Sequence, residues 1–236
     1  MTTRLCNVVV DATDPAGLAL FWSEVLERPA VPSGDGEVDV PLDDEVDLVV
    51  VPVDEPKQGK NRVHLDLAST SPEHQARLVA RARELGASPV DIGQGEVPWV
   101  VLADPEGNEF CVLEPRDEYR GIGPVAAVVV DALDPVALAA FWSHAAGVAV
   151  TRQDGRSASL RRDGGFWLEF LRRAEVNPAK NRVHLDVAPP ADGDQPTEVS
   201  RLEARGAVRS DVGQGAVRWV VLADPEGNEF CVLTPR

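Results

Sequence analysis

His64 and Asp66 lie two residues apart in the segment KNRVHLD, and His184 and Asp186 lie two apart in an identical segment. Side chains at i and i+2 of a β-strand share a face. Each carboxylate can therefore orient its imidazole and leave one ring nitrogen free for a proton, a metal or a ligand. Cys111 and Cys231 occupy a second duplicated segment, WVVLADPEGNEFCVL, at Trp99–Leu113 and again at Trp219–Leu233. A thiol near an imidazole can serve as a metal ligand or a nucleophile. A divalent ion asks for about three such protein ligands with one position left open. Glu169 is the candidate general base, and Trp167, on the same strand face, offers a flat wall to a planar ligand. Each residue also has a plainer reading: a strand histidine bonded to its neighbouring aspartate, a free cysteine as a small apolar filler, a buried strand tryptophan.

These residues recur because the chain does. His64 and His184, Cys111 and Cys231, and the openings VVVDATDPAGLALFWS from Val8 and VVVDALDPVALAAFWS from Val128 all share an offset of 120 residues. That period is the size of a domain, whereas solenoid units run about 20–50 residues. The expected division is a first domain over 1–116, a linker over 117–123 and a second domain over 124–236, the linker lying in the polar, Gly/Pro-punctuated EPRDEYRGIGP.

Within each repeat the pattern reads βαβββ–βαβββ. Leu5–Val10 is a β-branched run. Asp14-Pro15 is a helix start, and Leu18, Phe21, Trp22 and Val25 make one apolar helical face, matched by Leu138, Phe141, Trp142 and Ala145. Trp22 and Trp142 are therefore expected in the core. Ser71-Pro72 starts a second helix that stops at Gly86. DPEGN joins the last two strands as a tight hairpin. With a helix after the first strand of each module, the helices cover one face of the sheet and leave the other free to curl. Parity puts Val63, Leu65, Phe110 and Val112 under the helices, and Arg62, His64, Asp66 and Cys111 on the open face.

The chain has 236 residues, a hydrophobic fraction of 44% and a formal charge of −16. Such a charge repels nucleic-acid backbones and anionic lipid surfaces, so neither is expected as a partner. No apolar run is long enough to span a bilayer, the opening MTTRLCNVVVDATD lacks the apolar region of a secretory signal, and three cysteines make no disulfide framework. The expected location is cytoplasmic. Gly93-Gln94-Gly95 lacks the strand-to-helix context of a dinucleotide site.

The DPxxLAxFW helix, KNRVHLD, DPEGNEFCVL and the paired βαβββ modules together resemble the vicinal oxygen chelate superfamily, specifically its glyoxalase-like branch. The resemblance covers nearly the whole chain, twice. It implies an α+β fold of two tandem domains, each a cupped mixed β-sheet with helices on its outer face. Catalytic members of that superfamily hold a divalent metal through side chains on the first, fourth, fifth and eighth strands; other members bind drugs without metal. The implied fifth-strand ligands are His64 and His184, and the eighth-strand positions hold Cys111 and Cys231. The first-strand positions hold Asn7 and Ala127, and the fourth hold Val49 and Glu169. Taken repeat by repeat, the second domain offers Glu169, His184 and Cys231 for zinc, nickel, manganese or iron, and the first falls short.

Two functions follow. One is a small-molecule-binding protein with a degenerate metal site and no cofactor, its ligand contacting His64, Asp66, Cys111, Trp167, His184, Asp186 or Cys231. The other is a divalent-metal-dependent lyase, isomerase or dioxygenase of the glyoxalase type, using the second domain. In either case the partner is a small molecule, and the chain is a monomer with an internal pseudo-dimer or a homodimer. The repeats diverge most between their first helices and the KNRVHLD segments. There the first is acidic (Asp43, Asp44, Glu45, Asp47) and the second basic (Arg152, Arg156, Arg161, Arg162), so at most one cup is expected to function.

Overall fold

A computed structural model of the chain describes residues 3–162, 164–175, 179–213 and 215–236. The first repeat contains β1 (Arg4–Ala12), α1 (Pro15–Leu26), β2 (Val31–Gly34), β3 (Glu37–Pro41) and β4 (Asp47–Pro52), then β5 (Val63–Leu67), α2 (Pro72–Glu84), β6 (Ser88–Pro89), β7 (Val100–Ala103) and β8 (Glu109–Val112). After a single 3-10 turn at Asp117–Tyr119, the second repeat follows the same order. It has β9 (Val125–Ala132), α3 (Pro135–Ala146), β10 (Val150–Gln153), β11 (Ser157–Arg161), β12 (Trp167–Arg172), β13 (Val183–Ala188), α4 (Gln195–Glu203), β14 (Val208–Arg209), β15 (Val220–Ala223) and β16 (Glu229–Val232).

The helices start where side chains satisfy their orphan N–H groups. Asp14 accepts from the Gly17 amide at 3.0 Å and Ser71 from the His74 amide at 3.1 Å, each with a proline in the first turn. Gly86 and Gly206, just past α2 and α4, adopt φ of +110° and +103°, where a Cβ would be strained. The DPEGN turn has an internal reason. Asp104 accepts from the Glu106 and Asn108 amides and from the Trp22 indole; Asp224 repeats all three bonds with Glu226, Asn228 and Trp142. The motif thus ties the hairpin to the first helix of its own repeat, and both tryptophans lie in the core as expected.

The strands form two mixed eight-stranded sheets. The first runs β14-β15-β16-β13-β1-β4-β3-β2, and the second β10-β11-β12-β9-β5-β8-β7-β6. Each sheet therefore joins the leading module of one repeat to the trailing module of the other, through antiparallel seams β1·β13 and β5·β9. The duplicated lysines and aspartates explain the seams chemically. Lys60 pairs with Asp131 across one, and Lys180 with Asp11 across the other. Helix α1 packs on β3 and β4, while its Trp22 meets Phe110 of β8 in the other sheet, ring centroids 5.1 Å apart. Trp142 of α3 meets Phe230 of β16 in the same way at 5.2 Å. One apolar core consequently lies between the sheets and includes Val63, Leu65, Phe110 and Val112. The concave faces point away from it as two cups.

Candidate functional site

The registers set the two cups side by side in chemistry. In the first sheet, one cross-strand row reads Cys231, Asp186, Asn7, Asp47, and the adjacent row carries His184, Val9, Val49, Asp39. In the second sheet, the equivalent rows are Cys111, Asp66, Ala127, Trp167 and His64, Val129, Glu169, Ser159. Sequence reasoning grouped Glu169 with His184 and Cys231 because they share a repeat. The topology corrects this: Glu169 and Trp167 lie on the sheet of His64, Asp66 and Cys111, while His184, Asp186 and Cys231 lie on the other. The reason is the seams, which pair β12 and β5 on either side of β9. No set of Glu169, His184 and Cys231 converges.

In the first cup, His184 Nε2 stands 3.5 Å from Asp186 Oδ1 and 3.7 Å from Cys231 Sγ. The Asn7 amide donates to Asp186 Oδ2 at 3.0 Å, and Asp186 Oδ1 is buried without a hydrogen-bond partner. Burial raises the pKa of Asp186 above the usual carboxylate range, against the opposing pull of His184. Burial, then the Asp186 carboxylate, pushes the Cys231 thiol up, so the thiol is protonated at neutral pH. Above this floor opens a cavity of about 740 Å³ with Val9, Val49, Val221, Leu233 and Trp219 in its walls.

The second cup is filled. The connector between the repeats folds back over it and buries Tyr119 and Ile122 against Ala68, Val101, Cys111, Ala127, Val129 and Trp167. The Tyr119 hydroxyl donates to Glu169 Oε1 at 3.2 Å. Burial, with the Asp66 carboxylate next, raises Glu169 to about 7, and burial raises the Tyr119 hydroxyl as well. His64 Nε2 lies 3.4 Å from Asp66 Oδ1, whose oxygen again has no hydrogen-bond partner. Trp167 does not offer an open wall: its ring is 3% exposed, under the Arg152 guanidinium at 4.5 Å and the Arg161 guanidinium at 5.1 Å. Sequence reasoning took the connector as a polar spacer and missed Tyr119. The only signal was a tyrosine and an isoleucine spaced three apart among charged and glycine residues.

Both cups meet the first requirement of a metal site. His184, Asp186 and Cys231, and likewise His64, Asp66 and Cys111, place one donor atom each within 4.8 Å of one another. Ligand bonds of about 2.0–2.3 Å in tetrahedral geometry separate donors by roughly 3.3–3.8 Å, as His184 is from its two neighbours. The orphaned Asp186 and Asp66 oxygens fit a cation as well. Glu169, given to Tyr119, stands outside the second cluster.

Comparison with known proteins agrees with this architecture. A model of the glyoxalase-like domain matches residues 7–113 and again 127–233. A search of curated protein sequences found no match. Glyoxalase I from Zea mays is similar in structure, with a TM-score of 0.67 at 15% identity over 99% of this chain and 92% of that one. A putative dioxygenase from Bacillus subtilis subsp. subtilis str. 168 gives 0.63 at 12% identity, over 99% of this chain and 85% of that one. At these identities the likeness establishes the fold alone. With both matches spanning nearly the full length, the chain belongs to the glyoxalase-like domain family of the vicinal oxygen chelate superfamily, as a tandem duplication.

Proposed function

We propose that the chain binds a small organic molecule in its first cup, with His184, Asp186 and Cys231 at the floor. The observation that carries this is the contrast between the cups: the first is an open cavity of about 740 Å³, and the second is packed with Tyr119 and Ile122. That volume lies within the range of drug-sized ligand sites, which combine apolar walls with a few polar groups. On this reading His64, Asp66, Cys111 and Trp167 hold the second cup together and meet no ligand. The buried free thiols suit a cytoplasmic setting, and no described helix is long and apolar enough to cross a membrane. The internal pairing of the repeats suits a monomer. A thermal-shift screen with aromatic natural products and reactive aldehydes tests the proposal. Stabilisation by at least one compound, lost in Asp186→Ala, is expected; a flat response across a broad library overturns it.

The donor spacing favours a second reading, a glyoxalase-type lyase, isomerase or dioxygenase using zinc, nickel, manganese or iron. His184, Asp186 and Cys231 would hold the ion, which would polarise neighbouring oxygens of a substrate. Val49, at the fourth-strand position, supplies no ligand, and the Cys231 proton must be displaced before the sulfur can bind. Elemental analysis of protein purified without chelators decides: about one ion per chain, lost in His184→Ala, favours this reading, and its absence removes it.

A further inference from the structure

The wall of the first cup is acidic where its counterpart is not. Asp35, Glu37, Asp39 and Asp47 line the cavity, beside the orphaned Asp186 oxygen. At the equivalent positions, 120 residues on, the second repeat has Gly155, Ser157, Ser159 and Trp167. Among the described residues no ion pair neutralises any of the four wall carboxylates; Asp39 accepts one hydrogen bond, from Ser33. Burial, then Asp39, Asp35 and Asp186, raises Glu37, so these charges act on one space. Of the cations lining the cavity, Lys180 is held by Asp11, and Arg236 acts on Asp186 only through space.

The second cup differs in what lies over its tryptophan. There the Arg116 guanidinium lies 5.7 Å from the Trp99 ring centroid, and the connector's Tyr119 and Ile122 fill the space over the floor. That guanidinium is itself paired with Glu114 at 2.7 Å, and its counterpart 120 residues on, Arg236, lines the first cavity. The first cup has the equivalent tryptophan, Trp219, 38% exposed and lining the cavity, with no cation over it among the described residues.

We propose that the first cup is built for an organic cation: an ammonium or guanidinium group carried on an apolar or aromatic body, with the charge between Trp219 and the carboxylates of Asp35, Glu37, Asp39 and Asp47. This rests on the first cup being the ligand site. The aromatic face attracts a desolvated cation, and the unneutralised carboxylates gain from its charge inside a partly water-excluded space.

The test uses the intact ¹⁵N-labelled chain in EDTA-containing buffer at neutral pH, titrated separately with 4-phenylbutylamine, 4-phenylbutanol and 4-phenylbutyrate. The three share one body and differ in charge. The amine is expected to shift the Trp219 indole signal and to bind at least about tenfold tighter than the alcohol, with the carboxylate weakest. A Glu37→Gln/Asp39→Asn variant should bring amine affinity to within about threefold of the alcohol, leaving alcohol binding unchanged. Alcohol or carboxylate binding as tight as the amine overturns the charge assignment while the small-molecule reading stands. No shift with any of the three overturns the organic-cation assignment, and the library screen then decides the small-molecule reading separately.

Discussion

Glu169 is a carboxyl held near neutrality at its midpoint, and its role follows from what covers it. Its pKa of about 7 reflects burial first and the Asp66 charge second, with the Tyr119 hydroxyl opposing both. Because the folded value lies above the unfolded one, the folded state binds the extra proton. That contribution is complete below about pH 4.5 and is lost as pH rises towards 7. We predict that wild-type stability falls by an extra ~2 kcal/mol between pH 5 and 8 relative to Glu169→Gln. Denaturant titrations at several pH values read it, and parallel curves for the two proteins contradict it. Parity alone placed His64 with Asp66 and His184 with Asp186, because two residues along one strand is local information. The partner of Glu169 was not local. No residue in the sequence says which repeat supplies the strand across β9.

At the scale of elements, the connector is the piece whose sequence and structure differ most. Its glycines and charges read as a linker, yet Tyr119 and Ile122 are each only 5% exposed. The repeats are identical at Trp99 and Trp219, yet Trp99 is half-buried with the Arg116 guanidinium 5.7 Å from its ring centroid, while Trp219 is 38% exposed. Tyr119 and Ile122, which pack over the second cup, lie outside the repeated segments, which explains why comparing the repeats could not expose their role. We predict that Tyr119→Ala with Ile122→Ala lowers stability by about 3–5 kcal/mol, as deletions of buried large side chains do. Thermal and urea unfolding measure it, and a loss under about 1 kcal/mol would mean the connector lies loosely. The βαβββ order, the helix starts and the DPEGN hairpins were all legible, since caps, apolar spacing and turn residues act within a few positions.

At the scale of the molecule, the chain behaves as a pseudo-dimer whose halves exchange modules. Isolated residues 1–120 would leave β1 and β5 without their seams, exposing two apolar strand edges. We predict that this fragment self-associates into dimers with both seams rebuilt. Light scattering of the purified fragment checks this, and a stable folded monomer contradicts it. The same exchange gives the whole protein one open cup and one closed cup, each built from both repeats, and this is the claim on which the functional reading depends. The most direct measurement is calorimetric titration of His64→Ala and His184→Ala with a ligand that stabilises the wild type. One site per chain is expected, with an affinity loss of about tenfold or more in His184→Ala and a change within about twofold in His64→Ala. Two sites per chain, or equal losses in the two variants, would contradict it.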